Sequence, residues 1–213
     1  MSERRIKAIV FDQGETLENE TRFWSSVAQY AGVPEFTLFG VLGGLIERRE
    51  NHRSIFNVMQ IESVDPRAIG FEIEPGDLYP DVEPVLKQLS HAGYRLGVTG
   101  NQPEGAVEQL RKLGLPLEMH GSSAIWGVGK PDPRFFARIA SDLELEPAQI
   151  VYVGDRLDND VFPAQEFGMH AVFIRRGPWG YLHATWPELE QVRYRIDSLT
   201  ELPRLLEMIE WDG

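Results

Sequence analysis

Four places in this chain carry side chains that could do chemistry together. Asp12 follows the apolar stretch 6–11 and opens the run Asp12-Gln13-Gly14-Glu15-Thr16-Leu17. Thr99 closes the stretch 94–98 and is followed by Gly100 and Asn101. Lys130 lies in Gly129-Lys130-Pro131-Asp132-Pro133, and Asp155, Asp158 and Asp160 crowd the run after 150–153. A carboxylate can attack an electrophile or hold a hard cation. A hydroxyl and an ammonium can steady negative charge on oxygen. Singly, each residue has a plainer reading. An aspartate after a strand is as readily a helix N-cap, a threonine there a turn residue, and a lysine a solvated surface group. Asp158 reads better as a cap than as a ligand.

The elements that carry these residues alternate. Short β-branched runs at 6–11, 94–98, 150–153 and 171–174 read as buried strands. Helical spacing appears at 81–92, where Val82, Val85, Leu86 and Leu89 share a face, and again at 104–113 and 133–143. Strands alternating with helices predict a parallel α/β sheet with helices on both faces. In such sheets ligands sit beyond the carboxyl ends of the strands, where all four places fall. From Glu18 to Pro80 no strand is apparent, and 22–31, 35–51 and 54–60 read as helices. This predicts a small all-helical insertion, residues 18–80, in a core of residues 1–17 and 81–213. A late strand at 194–196 and a closing helix at 199–209 complete the pattern.

Composition removes several function classes. The 213 residues include no cysteine, which excludes disulfides, thiolate catalysis and Cys-based zinc sites. Lys plus Arg number 21 against 33 Asp plus Glu, a net charge of −12 that disfavours nucleic acid and anionic membranes as partners. No apolar run approaches a bilayer-spanning length, and the N-terminal residues lack a signal-peptide core. The expected location is cytoplasmic.

The four motifs, in this order, resemble those of the haloacid dehalogenase-like hydrolase superfamily, over nearly the whole chain. The helical insertion looks like that family's first-type cap domain, and the core like its Rossmann-like sheet. The resemblance implies a phosphatase acting on a small phosphorylated metabolite through an aspartyl-phosphate at Asp12. It implies Mg²⁺, held by Asp12, the carbonyl of Gly14 and Asp155, with Asp160 completing the shell. It assigns Lys130 to charge neutralisation, and Thr99, Asn101 and Lys130 to binding the phosphoryl oxygens.

One position departs from the pattern. Most phosphatases of this family place a second Asp two residues after the nucleophile, to protonate the leaving group and later activate water. Here that residue is Gly14. General acid–base help is worth about 10²–10⁴ in rate, so the acid is weakened or relocated, and good leaving groups suffer least. Glu15 faces away along an extended loop and reads better as a cap or solvated residue than as a substitute; a cap residue could supply the proton. Phosphonate hydrolases of the family use a cap lysine, but Lys7, Lys87, Lys112 and Lys130 all lie outside the insertion. Haloacid dehalogenases usually carry Tyr at the Gly14 position and need no metal, so they fit less well. A non-catalytic phosphate-ligand or partner-binding protein stays open.

Substrate choice should belong to the insertion. Arg48, Arg49 and Arg53 could read an anionic substrate tail, but a solvated face paired with Glu47 and Glu50 is the plainer reading. Phe23, Trp24 and Tyr30, at helical spacing with Val27, read as insertion core rather than as a platform for substrate. Trp179, Tyr181, His183 and Trp186 lie on a loop that could brush the site entrance but reads better as one pinned to the core, and the five histidines show no metal-ligand spacing. Arg156 could touch a ligand or pair with Asp158. Monomer and homodimer are equally open.

Overall fold

A computed structural model describes residues 5–62 and 69–211; the N-terminal Met1–Arg4 and residues 63–68 of the expected insertion lie outside that description. Six strands form one parallel sheet: β1 (Ala8–Asp12), β2 (Arg95–Gly100), β3 (Met119–Ser122), β4 (Ile150–Gly154), β5 (His170–Ile174) and β6 (Tyr194–Ile196). The order is β3-β2-β1-β4-β5-β6. It reverses direction between β1 and β4, which opens a crevice at their carboxyl ends.

Both faces of the sheet are covered, and β1 shows how. Ala8 and Val10 join one core cluster with Tyr152, Phe135 and Phe136. Ile9 and Phe11 join the other with Val151, Val153 and Leu86. The period-2 alternation of a strand thus serves two apolar faces at once, which is why the sequence reads as a continuous apolar run. The covering helices are α4 (Val82–His91), α5 (Glu104–Lys112), α6 (Ser123–Trp126), α7 (Pro133–Leu143), α8 (Phe162–Glu166) and α10 (Leu202–Trp211), while α9 (Gly177–His183) packs against the insertion.

Between β1 and α4 stand α1 (Thr21–Ala31), α2 (Glu35–Glu47) and α3 (Ser54–Val58). They share a cluster of their own: Trp24, Val27, Ala28, Leu38, Leu42, Leu45, Ile46 and Ile55. The chain leaves and re-enters the core through a paired neck. Asn19 N–H donates to the Asp77 carbonyl (2.7 Å), and Tyr79 N–H to that of Leu17 (3.0 Å). Among the described residues, no helix is long and apolar enough to cross a membrane.

Two expectations need correction, and one strand was not expected. The helix expected over 35–51 ends at Glu47, and Arg49 turns left-handed at φ 59°. Arg49 and Arg53 therefore do not share a helix face. The aromatic segment after β5 is not a loop but the short helix α9, opened by Pro178 near its start. The edge strand Met-His-Gly-Ser of β3 carries almost no β-branched character, so its sequence gave no strand signal.

Candidate active site

The carboxyl end of β1 delivers Asp12 into the crevice, 7% exposed. Lys130 reaches it from the loop ahead of α7. Its Nζ donates to Asp12 Oδ1 (2.6 Å) and to Asp160 Oδ1 (2.5 Å). Burial alone would lower the Lys130 pKa, but the charges of Asp12 and Asp160 hold it well above its ordinary value. Asn101 fixes this lysine from both sides of its backbone: Lys130 N–H donates to Asn101 Oδ1, and Asn101 Nδ2 donates to the Lys130 carbonyl, both at 2.8 Å. The amide expected to bind substrate is spent on the loop that carries the ammonium.

Asp155 and Asp160 come from the end of β4 and the π-helical turn Leu157–Val161 that follows. Asp160 packs so close to Gly154 that a Cβ there would sit 2.5 Å from its own; only glycine admits the turn at that point. Asp160 Oδ2 also accepts from Arg156 N–H (3.1 Å). Asp155 is buried, and its Oδ2 has no hydrogen-bond partner. Burial, then the charges of Asp160 and Asp12, push its carboxyl well above the usual range. One oxygen each from Asp12, Asp155 and Asp160 lies within 4.8 Å of the others. An orphaned oxygen in an all-carboxylate cluster is the donor set of a hard divalent cation.

Two expected side chains are placed otherwise. Thr99 is fully buried, with its hydroxyl 3.3 Å from the Tyr152 hydroxyl. It does not line the cavity above Asp12, whereas Asn101 and Gln102 do. At the strand end the residue against the nucleophile is Gly100, where a Cβ would lie 3.3 Å from Asp12 Oδ1. Thr99 itself stands in register with Asp12 across β1 and β2. Glu15, expected to be solvated or a cap, is buried. Its Oε2 accepts from the Tyr79 hydroxyl (2.5 Å) and its Oε1 from Glu20 N–H (3.0 Å).

The cavity over this floor has a volume of about 440 Å³, within the usual range for small-molecule sites. Its roof is aromatic: Phe23, Trp24 and Phe56 from the insertion, and Trp179 from α9. His52 stands between Trp24 and Trp179 at ring distances of 6.3 and 5.5 Å. Burial, then Arg156 and Arg53, lower its pKa to about 4, so it is neutral. Arg156 both lines the cavity and pairs with Asp158 (2.9 Å). Arg53 lines the cavity; Arg48 pairs with Glu50, as expected, while Arg49 pairs with Glu188.

Sequence reasoning missed three contributors. Glu20 and Gln102 line the cavity, and no motif marks them. His183 accepts a hydrogen bond at Nδ1 from Leu157 N–H (2.9 Å), anchoring the turn that carries Asp160. Its pKa falls to about 4, chiefly through burial. The contact spans 26 residues, so spacing could not reveal it.

Residues 6–168 match the family model described as haloacid dehalogenase-like hydrolase. A glyceraldehyde 3-phosphate phosphatase of Methanopyrus kandleri is 43% identical over 104 residues, 47% of this chain and 45% of that protein. The chain spans about half the length of the curated relatives it matches. A phosphatase structure from Thermococcus onnurineus superposes with a TM-score of 0.67 at 24% identity, over 94% of this chain and 98% of that one. A 2-haloacid dehalogenase from Pseudomonas syringae does so at 0.59 and 22%, over 95% and 99%. At these identities the two structures speak for the fold alone.

Proposed function

The chain belongs to the haloacid dehalogenase-like hydrolases, and from that premise we propose that it hydrolyses the phosphate ester of a small metabolite by covalent attack from Asp12. The observation that carries this reading is the charge arrangement on the floor. Lys130 bridges Asp12 and Asp160, beside an Asp155 oxygen that has no hydrogen-bond partner among the described residues.

Asp12 attacks phosphorus, the leaving group departs, and water hydrolyses the aspartyl-phosphate. Lys130 orients the carboxylate and offsets charge on the phosphoryl oxygens. Asn101 keeps Lys130 in place. With Thr99 turned toward Tyr152, Gln102 and backbone N–H groups after β2 are the remaining donors for those oxygens. Asp12, Asp155, Asp160 and the Gly14 carbonyl would hold Mg²⁺. When bound, Mg²⁺ offsets the repulsion between a carboxylate and a phosphate dianion.

Residues 18–80 act as the cap, closing over the site about the paired neck and excluding water. The aromatic roof with Arg53 and Arg156 suits a small anionic body. Glyceraldehyde 3-phosphate is one candidate, on the name of the Methanopyrus relative.

The test is phosphate release from aryl, acyl, sugar and triose phosphates, with Mg²⁺ and with EDTA, beside Asp12→Asn. Metal-dependent turnover lost in the variant is the expected result. Turnover no greater than that of Asp12→Asn on every substrate would overturn the reading and leave ligand binding without catalysis, or dehalogenation, to pursue.

A further inference from the structure

We propose that Glu20, the residue that opens α1, performs the proton transfers for which Gly14 has no side chain. The inference rests on the phosphatase reading and extends it. A Cβ built on Gly14 would lie 2.9 Å from Glu20 Cδ and closer still to Oε1. The volume that a side chain at position 14 would take is thus already filled by a carboxyl group. Glycine at 14 and glutamate at 20 belong together: no larger residue fits at 14 while Glu20 keeps its place.

The carboxyl is held, not loose. Trp24 Nε1–H donates to Glu20 Oε2 (3.2 Å), which leaves Oε1 as the oxygen over Gly14. Glu20 N–H donates to Glu15 Oε1, and Glu15 is itself pinned by Tyr79. Glu15 therefore serves as a positioning residue. Glu20 lines the same cavity as Asp12, Lys130 and Asp155. It also sits immediately beyond the paired neck, so a carboxyl from the insertion side reaches the floor without crossing the cavity.

The chemistry balances. As Asp12 attacks phosphorus, the bond from phosphorus to the leaving oxygen breaks, and that oxygen takes the proton of the Glu20 carboxyl and departs as an alcohol. The Glu20 carboxylate then takes a proton from water as the water oxygen attacks phosphorus. The bond from phosphorus to Asp12 breaks, giving inorganic phosphate, a free Asp12 carboxylate and a protonated Glu20.

The test compares wild type, Glu20→Gln, Glu20→Ala and the pair Gly14→Asp/Glu20→Ala on an alkyl and a p-nitrophenyl phosphate. Rapid quench and intact-protein mass report phosphoenzyme, and thermal melts confirm folding. Glu20→Gln should lose about 10²–10⁴-fold in alkyl ester turnover. With the aryl ester it should keep the first burst of nitrophenol and accumulate phosphoenzyme, because only the second step then needs a base. Gly14→Asp/Glu20→Ala should recover about tenfold or more over Glu20→Ala, on the same scale of acid–base help. Equal losses on both esters, with no phosphoenzyme accumulation and no recovery in the pair, would overturn the role of Glu20 while the phosphatase reading stands. A wild type no more active than Asp12→Asn would overturn both.

Discussion

The floor and the roof of the cavity are built on opposite plans. The floor is charged and buried: Asp12, Lys130, Asp155 and Asp160 stand on strand ends and the loops next to them, and each answers another's charge or lacks a partner. The roof is aromatic and helical: Phe23 meets Trp24 edge to face, Trp24 and Trp179 flank a neutral His52, and Phe56 lines the cavity with them. Charges buried together depend on one another, so a change in the floor is felt as lost balance. Aromatic walls contribute area and shape, so a change in the roof is felt as altered fit. On the proposed function the division also separates tasks, with reaction below and selection above.

Lys130→Met breaks the floor most severely. It removes the only cation within hydrogen-bond reach of both Asp12 and Asp160 among the described residues. Removing one partner of a buried ion pair costs about 3–5 kcal/mol, and denaturant unfolding without metal should show it. Turnover should vanish as well. A loss below 1 kcal/mol would mean that the two aspartates do not carry charge together, and would dissolve the contrast with the roof.

The neck between the two regions gives the next effect. Glu18 is buried and accepts from Gln13 Nε2 (3.0 Å). Burial, against that hydrogen bond and with Asp77 and Glu15 adding, pushes its carboxyl up to about 7. The folded chain thus holds this proton more tightly than the unfolded one. The stabilisation is full below about pH 4.5 and is lost as pH rises through 7. At about 1.4 kcal/mol per unit, Glu18→Gln should gain about 3 kcal/mol relative to wild type between pH 4.5 and 8. Parallel pH–stability curves would show that Glu18 is charged when folded.

The proposed cation site sharpens the floor from the other side. A ligand at one hundred times its dissociation constant stabilises by about 2.7 kcal/mol. Mg²⁺ should raise the melting temperature of wild type accordingly. Asp155→Asn, which replaces the oxygen that has no partner, should abolish the shift without harming the apo fold. An equal shift in the variant would move the cation elsewhere.

The same division explains what the sequence made legible. Asp12, Lys130, Asp155 and Asp160 each follow a strand or precede a helix within a few residues, so local pattern placed them at one sheet edge. The strands follow from the same kind of run, except β3, whose residues carry no strand signature, while their order in the sheet comes from the structure alone. Side-chain direction was a different matter. Thr99 stands in register with Asp12, yet its hydroxyl lies 3.3 Å from that of Tyr152, a contact set by side-chain packing that the motif does not show. Glu20 was illegible because nothing local marks it and it is significant only through the space at Gly14, whereas Trp179 stood out as an aromatic but its place over the site depends on a helix set beside the insertion. The insertion's helices were readable as helices, but their docking on α9 was not, since that contact depends on tertiary packing.

That docking yields the subtlest effect. Arg49, turned out of α2, makes a two-pronged pair with Glu188 at 2.7 and 3.0 Å and lies 4.2 Å over the Trp186 ring. Trp179 and Leu182 of α9 pack into the insertion's own cluster beside it. The pair is exposed, so it adds little to global stability and is weakened by salt. Arg49→Ala should therefore leave the melting curve within error. What it should change is the rate at which the roof lifts from α9. Amide exchange in α2 should quicken relative to the sheet, and the difference from wild type should shrink at high salt. Glu188→Ala should give the same increase, and the double variant no more than either. If exchange in α2 is unchanged, the apolar seat of Trp179 holds the roof alone, and the charged clasp is ornament on an already closed site.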